Sequence, residues 1–303
     1  MKLALAAALV LVLGAASAPA SRSGGDCGQT SVAATPLDDL RTGRYHGRQG
    51  GLYPGGRNAP SAAYRAKGLA AAKQVAPIGG RIVLLSIGMS NTSQEFESFR
   101  RLAAGTSDLN PRLTIVNGAQ GGQDAERIYR PDAPYWGGVD GRLAAAGTTP
   151  AQVQVVWLKQ AIAGERRAFP ADAGVLRYRL RSIVAVLQSR FPNLRLVYLS
   201  SRTYAGYATT SLNPEPFAYD SGFAVKWAIQ DRIEGKVSGP WLAWGPYLWT
   251  NGTKGRRDGT VWECADAAAD GTHPSPSGQQ KVAALLLRFF RSEPTARGWF
   301  LGP

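Results

Sequence analysis

Histidine is almost missing from this sequence: 303 residues contain only His46 and His273. Cysteine is as scarce, with Cys27 and Cys264 alone. Neither set has the spacing of a ligand cluster, so no metal and no cofactor are expected. Long runs of one charge are missing too. Lys and Arg number 35 against 21 Asp and Glu, for a net charge of +14. Yet the basic residues come at most in pairs, as at Arg100-Arg101, Arg166-Arg167 and Arg256-Arg257, and no nucleic-acid-binding motif occurs. The excess is read as a basic solvent-facing surface, and no nucleic-acid partner is expected. Past the first twenty residues no apolar stretch is long enough to span a bilayer, which argues against stable membrane insertion. No repeat or clear linker divides the chain, and its oligomeric state is not legible.

What is present at the start is a leader. Lys2 supplies a positive charge, residues 3–14 an apolar run, and the small residues around Ala18 and Ala20 a cleavage site. Residues 1–20 are therefore expected to be a secretion signal peptide, cut near Ala18 or Ala20, and the mature protein to be secreted or periplasmic. Proline after Ala18 favours the later cut. An oxidising compartment would pair Cys27 with Cys264, stapling the mature N-terminus just ahead of Asp270.

Residues 21–60 read as an N-terminal extension. Its first half is small and polar and expected to be poorly ordered; its second is an exposed, glycine-rich loop. His46 lies in that loop without a carboxylate nearby and is read as structural or surface. From residue 61 the chain alternates. Short apolar runs at 81–86, 113–116, 153–158, 194–199 and 241–249 suit buried strands. Helical patterns occupy 61–75, 175–190 and 219–233. Thr92-x-x-Glu95 looks like a capping box ahead of Phe96, Phe99 and Leu102, and Ser275-Pro276 opens a last helix. This alternation predicts one α/β domain over 61–303: three α/β/α layers around a mostly parallel, flavodoxin-like sheet of about five strands.

In such sheets functional loops gather beyond the strands' C-terminal ends. Ser90, Gly122 and Gln160 all fall there. Ser90 could present a hydroxyl at a strand-to-helix turn, Gly122 an unobstructed N–H, and Gln160 a side-chain amide. Far downstream, Asp270-Gly271-Thr272-His273 sets a carboxylate three residues before an imidazole, which suits a base and the group that orients it.

With these residues in place, the chain resembles the SGNH (GDSL-like) hydrolase family over roughly residues 81–290. Gly88-Met89-Ser90-Asn91 is similar to its first block, residues 117–122 to its second, and Asp270-x-x-His273 to its last. The resemblance implies Ser90 as nucleophile, His273 as base, Asp270 as its orienter, and Ser90 N–H, Gly122 and Gln160 as oxyanion donors, with Lys159 the rival of Gln160. Two departures stand out. Met89 replaces the usual Asp, and Trp157-Leu158-Lys159-Gln160 occupies the place of Gly-x-Asn-Asp. A Gly-x-Ser-Asn start with glutamine in the third block is also similar to carbohydrate O-acetylesterases of this superfamily. The expected activity is hydrolysis of an ester on a small-molecule or polysaccharide substrate, above all deacetylation of a carbohydrate. Alternatives are simple lipidic or aryl esters, or a non-catalytic glycan-binding module. Asn91, Arg202 and Tyr204 are candidate substrate contacts. Tyr135, Trp136, Trp244, Tyr247 and Trp249 are candidate platforms for sugar rings.

Overall fold

The computed structural model describes residues 25–302, so the expected leader lies outside the described residues. Five strands form the central sheet: β1 (Ile82–Gly88), β2 (Leu113–Asn117), β3 (Val153–Lys159), β4 (Leu196–Ser200) and β5 (Trp241–Trp244). Every pairing is parallel, in the order β2-β1-β3-β4-β5. Strands β1, β3, β4 and β5 are buried at every position. Unbroken burial requires cover on both faces, which is why these strands read as apolar runs instead of alternating. Helices supply the cover: α1 (Ala62–Lys73), α2 (Ser90–Ala104), α3 (Tyr135–Ala145), α4 (Ala171–Arg190), α5 (Phe217–Ile233) and α6 (Pro276–Ser292). Helix α2 packs on α6 and α4 on α5. Aromatic contacts knit the layers, Phe96 stacking on Trp157 and Tyr64 on Trp241. This is the α/β fold that the SGNH resemblance implies.

From β1 the chain steps outward to β2, then returns to the other side of β1 as β3. Loops leaving β1 and β3 therefore diverge, opening a crevice at their C-terminal ends.

Three expectations need correction. Helix α2 begins at Ser90, with Met89 at the cap position, ahead of the expected Thr92 cap. Thr92 instead donates its hydroxyl to Lys159 O at 2.8 Å, and Glu95 takes Lys159 Nζ at 2.5 Å. The Thr-x-x-Glu pattern thus ties α2 to the end of β3. Helix α3 was not anticipated: Gly137, Gly138 and Gly141 depress its helical propensity, yet Tyr135, Trp136, Val139 and Leu143 are all buried. The N-terminal segment from residue 25 is tied to the core. Asn251 bonds Val32 through both its N–H and carbonyl and also holds Ala34 O, and Leu37 is fully buried. The glycine-rich loop is likewise docked, with Lys226 Nζ holding Gln49 O and Gly50 O and Trp244 Nε1 donating to Leu52 O. His46 remains exposed, its ring edge-on to Tyr45.

Where this loop meets α5, Asp220 is buried and its Oδ1 has no partner among the described residues. Burial lifts its carboxyl to about 7, against the bond from Tyr45 and with help from Glu215. The folded state therefore holds a proton that the unfolded chain releases near 3.8, so stability from this group falls as pH rises from about 4 through 7. Asp220→Asn is expected to raise the melting temperature by a few degrees at pH 8. The gain should fade by pH 4; thermal unfolding at both pH values checks the pattern.

Candidate active site

The turn after β1 carries Ser90. Gly88, the last residue of β1, has no room for a side chain: a Cβ would lie 2.4 Å from both Lys159 O and Thr92 Oγ1. Its N–H donates to the Tyr135 hydroxyl, which in turn donates to Gly118 O. Tyr135 thereby fastens the ends of β1 and β2. Ser90 is then the first residue of α2, where free backbone N–H groups and the positive end of the helix dipole lie beside its hydroxyl.

The second half of the site arrives from the turn before α6. Asp270 Oδ1 accepts the backbone N–H groups of Thr272 and His273, at 3.0 and 2.9 Å. Gly271, between Asp270 and Thr272, adopts φ +63, and a Cβ there would lie 1.7 Å from Tyr207 O. Only glycine fits that approach. The Cys27–Cys264 disulfide forms, with 5.4 Å between Cα atoms. It fastens the segment that leads into this turn, and Ser275 continues the anchorage through Ala265 O and Asp266 O.

Folding brings the two halves together. Ser90 Oγ lies 2.8 Å from His273 Nε2, and His273 Nδ1 lies 2.5 Å from Asp270 Oδ2. A carboxylate can only accept, so Nδ1 carries the ring proton and Nε2 is the acceptor for the serine hydroxyl. Partial burial works against the charge on Asp270, but bonds from the His273 backbone and ring and from Thr272 N–H hold its carboxyl below the usual range. Such a chain can move a proton from hydroxyl to imidazole and steady the resulting imidazolium.

These groups line a cavity of about 300 Å³. Ser90 and Asn91 border it from the end of β1, Gly122 from the β2 loop, Ala161 from the β3 loop, Arg202 and Asn213 from the β4 loop, and His273 from the far turn. Gly122 has φ +71. Its neighbour Gly121 faces the serine: a Cβ there would come within 4.0 Å of Ser90 Cβ. Asn91 lies at the cavity but donates its amide to Thr272 O at 2.8 Å, bracing the histidine turn.

Several expected residues are occupied elsewhere. Gln160 is fully buried and donates to Gln123 O at 2.8 Å, while its Oε1 accepts Ala161 N–H. Lys159 is spent on Glu95, both side chains fully buried. Neither borders the cavity. Tyr204 is buried, donating to Gln29 O. Tyr135, Trp136, Trp244, Tyr247 and Trp249 are also buried, so among the described residues the lining contains no Phe, Tyr or Trp ring to stack on a sugar. Each satisfies its polar tip on the core, as when Trp249 Nε1 donates to Glu215 and the Tyr247 hydroxyl accepts Leu37 N–H. Asn213 and Arg127 at the cavity were not anticipated; Asn213, flanked by Leu212 and Pro214 in an irregular loop, carries no periodic signal. No group of three or more His, Cys, Asp or Glu side chains suited to a metal occurs among the described residues. No helix among them is long and apolar enough to cross a membrane.

No family model matches the chain, and no curated protein matches it. Among solved structures it is similar to a Bacillus subtilis protein (13% identity, 70% of this chain and 56% of that one, TM-score 0.40). It is also similar to a Bacteroides fragilis protein described as an acylhydrolase (12% identity, 76% and 96%, TM-score 0.43). A third is a carbohydrate esterase family 2 enzyme with a carbohydrate-binding domain from Myceliophthora fergusii (14% identity, 74% and 68%, TM-score 0.41). The chain thus spans little more than half the length of the Bacillus subtilis protein.

Proposed function

We propose that this chain is an exported serine esterase that cleaves a carboxylic ester through Ser90, His273 and Asp270. The observation that carries this reading is the continuous contact from Ser90 Oγ through the His273 ring to Asp270, at 2.8 and 2.5 Å, opening on a cavity. Export is supported by the leader-like N-terminus and by a disulfide.

His273 Nε2 takes the hydroxyl proton as Ser90 Oγ attacks the ester carbonyl. The new C–O bond leaves a tetrahedral oxyanion. Backbone N–H groups of Ser90, at the start of α2, and of Gly122 are its proposed donors. Collapse breaks the bond to the alcohol, which leaves with the proton from His273. Water then gives a proton to His273, attacks the acyl-serine, and the acid departs as Ser90 regains its hydrogen. Gln160 enters this scheme only as a buried support of the cavity wall, through its bond to Gln123. A carbohydrate ester would be held in this cavity by polar contacts in place of ring stacking.

A fluorophosphonate probe tests the assignment. Mass spectrometry of the full chain is expected to find one adduct, on Ser90, with labelling abolished by prior heat denaturation. Absence of labelling, or labelling at another serine, would sink it.

A further inference from the structure

Arg202, just past the end of β4, is 1% exposed and borders the cavity that contains Ser90 and His273. A buried guanidinium is ordinarily held by a carboxylate through a two-pronged contact. Elsewhere in this protein that rule holds. Arg256, with a nearly buried side chain, pairs with Asp38 and Asp258. Arg202 differs. Among the described residues its one side-chain hydrogen bond runs from Nη2 to Thr272 O at 3.4 Å, and its Nε meets no partner.

The surrounding carboxylates act on Arg202 from a distance, but none grips the guanidinium, because each is engaged elsewhere. Glu95 holds Lys159, and Asp270 holds His273. Glu215 accepts Ala205 N–H, Tyr219 N–H and Trp249 Nε1. Glu165 accepts from Asn213 at 2.7 Å, and burial, reinforced by Asp172 and Asp220, lifts its carboxyl to about 8. Near neutral pH it is therefore largely uncharged. Asp124 borders the cavity too, but Arg127 N–H and Ala163 N–H occupy its two oxygens. A desolvated cation is left facing an open space with negative charge nearby but no carboxylate in direct contact among the described residues, an arrangement that a ligand carboxylate would complete.

We infer that the ester accepted by this cavity carries a carboxylate, and that Arg202 binds it. This rests on the esterase reading above and narrows its substrate. Arg202 bonds the carbonyl of Thr272, the residue before His273. The carboxylate therefore belongs close to the scissile bond, as in a half-ester of a dicarboxylic acid or an acylated acidic alcohol such as a uronate. The exposed Arg127 at the cavity adds attraction of the same sign.

Two ester pairs separate these sources. Mono-4-nitrophenyl glutarate against 4-nitrophenyl pentanoate places the charge on the acyl side, and 4-acetoxybenzoate against its methyl ester on the alcohol side. In one pair, the charged-to-neutral ratio of kcat/KM is expected to fall by about tenfold or more in Arg202→Gln. Hydrolysis of the neutral ester should change far less. An unchanged ratio in both pairs overturns the inference. Calorimetry on the unaltered protein guards against a variant that fails to fold: glutarate is compared with its dimethyl ester and 4-hydroxybenzoate with its methyl ester. One carboxylate should bind at least about tenfold more tightly than its ester, and equal binding within both pairs also overturns the inference. Failure to hydrolyse any of the four esters would instead count against the esterase reading, while the binding comparison still decides the role of Arg202.

Discussion

Ser90→Ala is expected to lower kcat for any ester the protein hydrolyses by roughly 10⁴- to 10⁶-fold, the range seen when a nucleophile is removed from a serine-based triad. The change deletes one oxygen at a partly exposed position and one hydrogen bond, to His273 Nε2. Neither supports the core: Gly88, Tyr135 and Thr92 hold the turn from behind. The melting temperature should therefore stay within a degree or two, and this separates lost chemistry from lost fold. Burst kinetics with 4-nitrophenyl acetate on both proteins provide the check. Equal turnover by the variant would remove Ser90 from the mechanism and, with it, the case for an acyl-serine intermediate.

The second large effect concerns stability. Lys159→Met is expected to cost about 3–5 kcal/mol, because it leaves the Glu95 carboxyl without its partner where no solvent reaches. Burial pushes the Lys159 ammonium below its ordinary range, and the Glu95 carboxylate opposes that shift. The two charges thus exist there only as a pair. Lys159→Met combined with Glu95→Leu should recover most of the loss, since an apolar pair of similar volume has no charge to desolvate. Urea unfolding of the two variants measures both values. The result also decides between two roles for Lys159. Were it the oxyanion donor proposed as the rival of Gln160, the single variant would lose kcat and keep its stability. A pair that ties α2 to β3 predicts the reverse order, with stability falling first.

Apolar runs made most of the sheet readable. Residues 82–85 are an unbroken Ile-Val-Leu-Leu run, and 153–158 are Val- and Leu-rich with only Gln154 and Trp157 between them, because the strands they enter are buried on both faces. The last helix was equally plain: Ser275 accepts Gly278 N–H, Pro276 follows, and Val282, Leu286 and Phe290 face inward. The capping-box reading of Thr92-x-x-Glu95 failed because a short polar pattern has more than one satisfying partner. Local backbone N–H groups were one; the end of β3 was another, and burial selected it. Aromatic residues misled for a related reason. Tyr135, Trp244 and Trp249 have amphipathic side chains, and composition does not reveal whether a polar tip meets solvent or a buried carbonyl or carboxylate.

By itself the chain's order of residues determined the parallel α/β architecture and nominated Ser90, Asp270 and His273, since strand burial and close-range turn chemistry are written in adjacent positions. Only the tertiary structure decided that 183 positions of separation close to a 2.8 Å contact. It also showed Gln160 and Lys159 turning away from the cavity, and Arg202 bordering it with no carboxylate in direct contact among the described residues. Those outcomes depend on which distant groups compete for each buried donor or charge, and that competition exists only once the chain has closed around them.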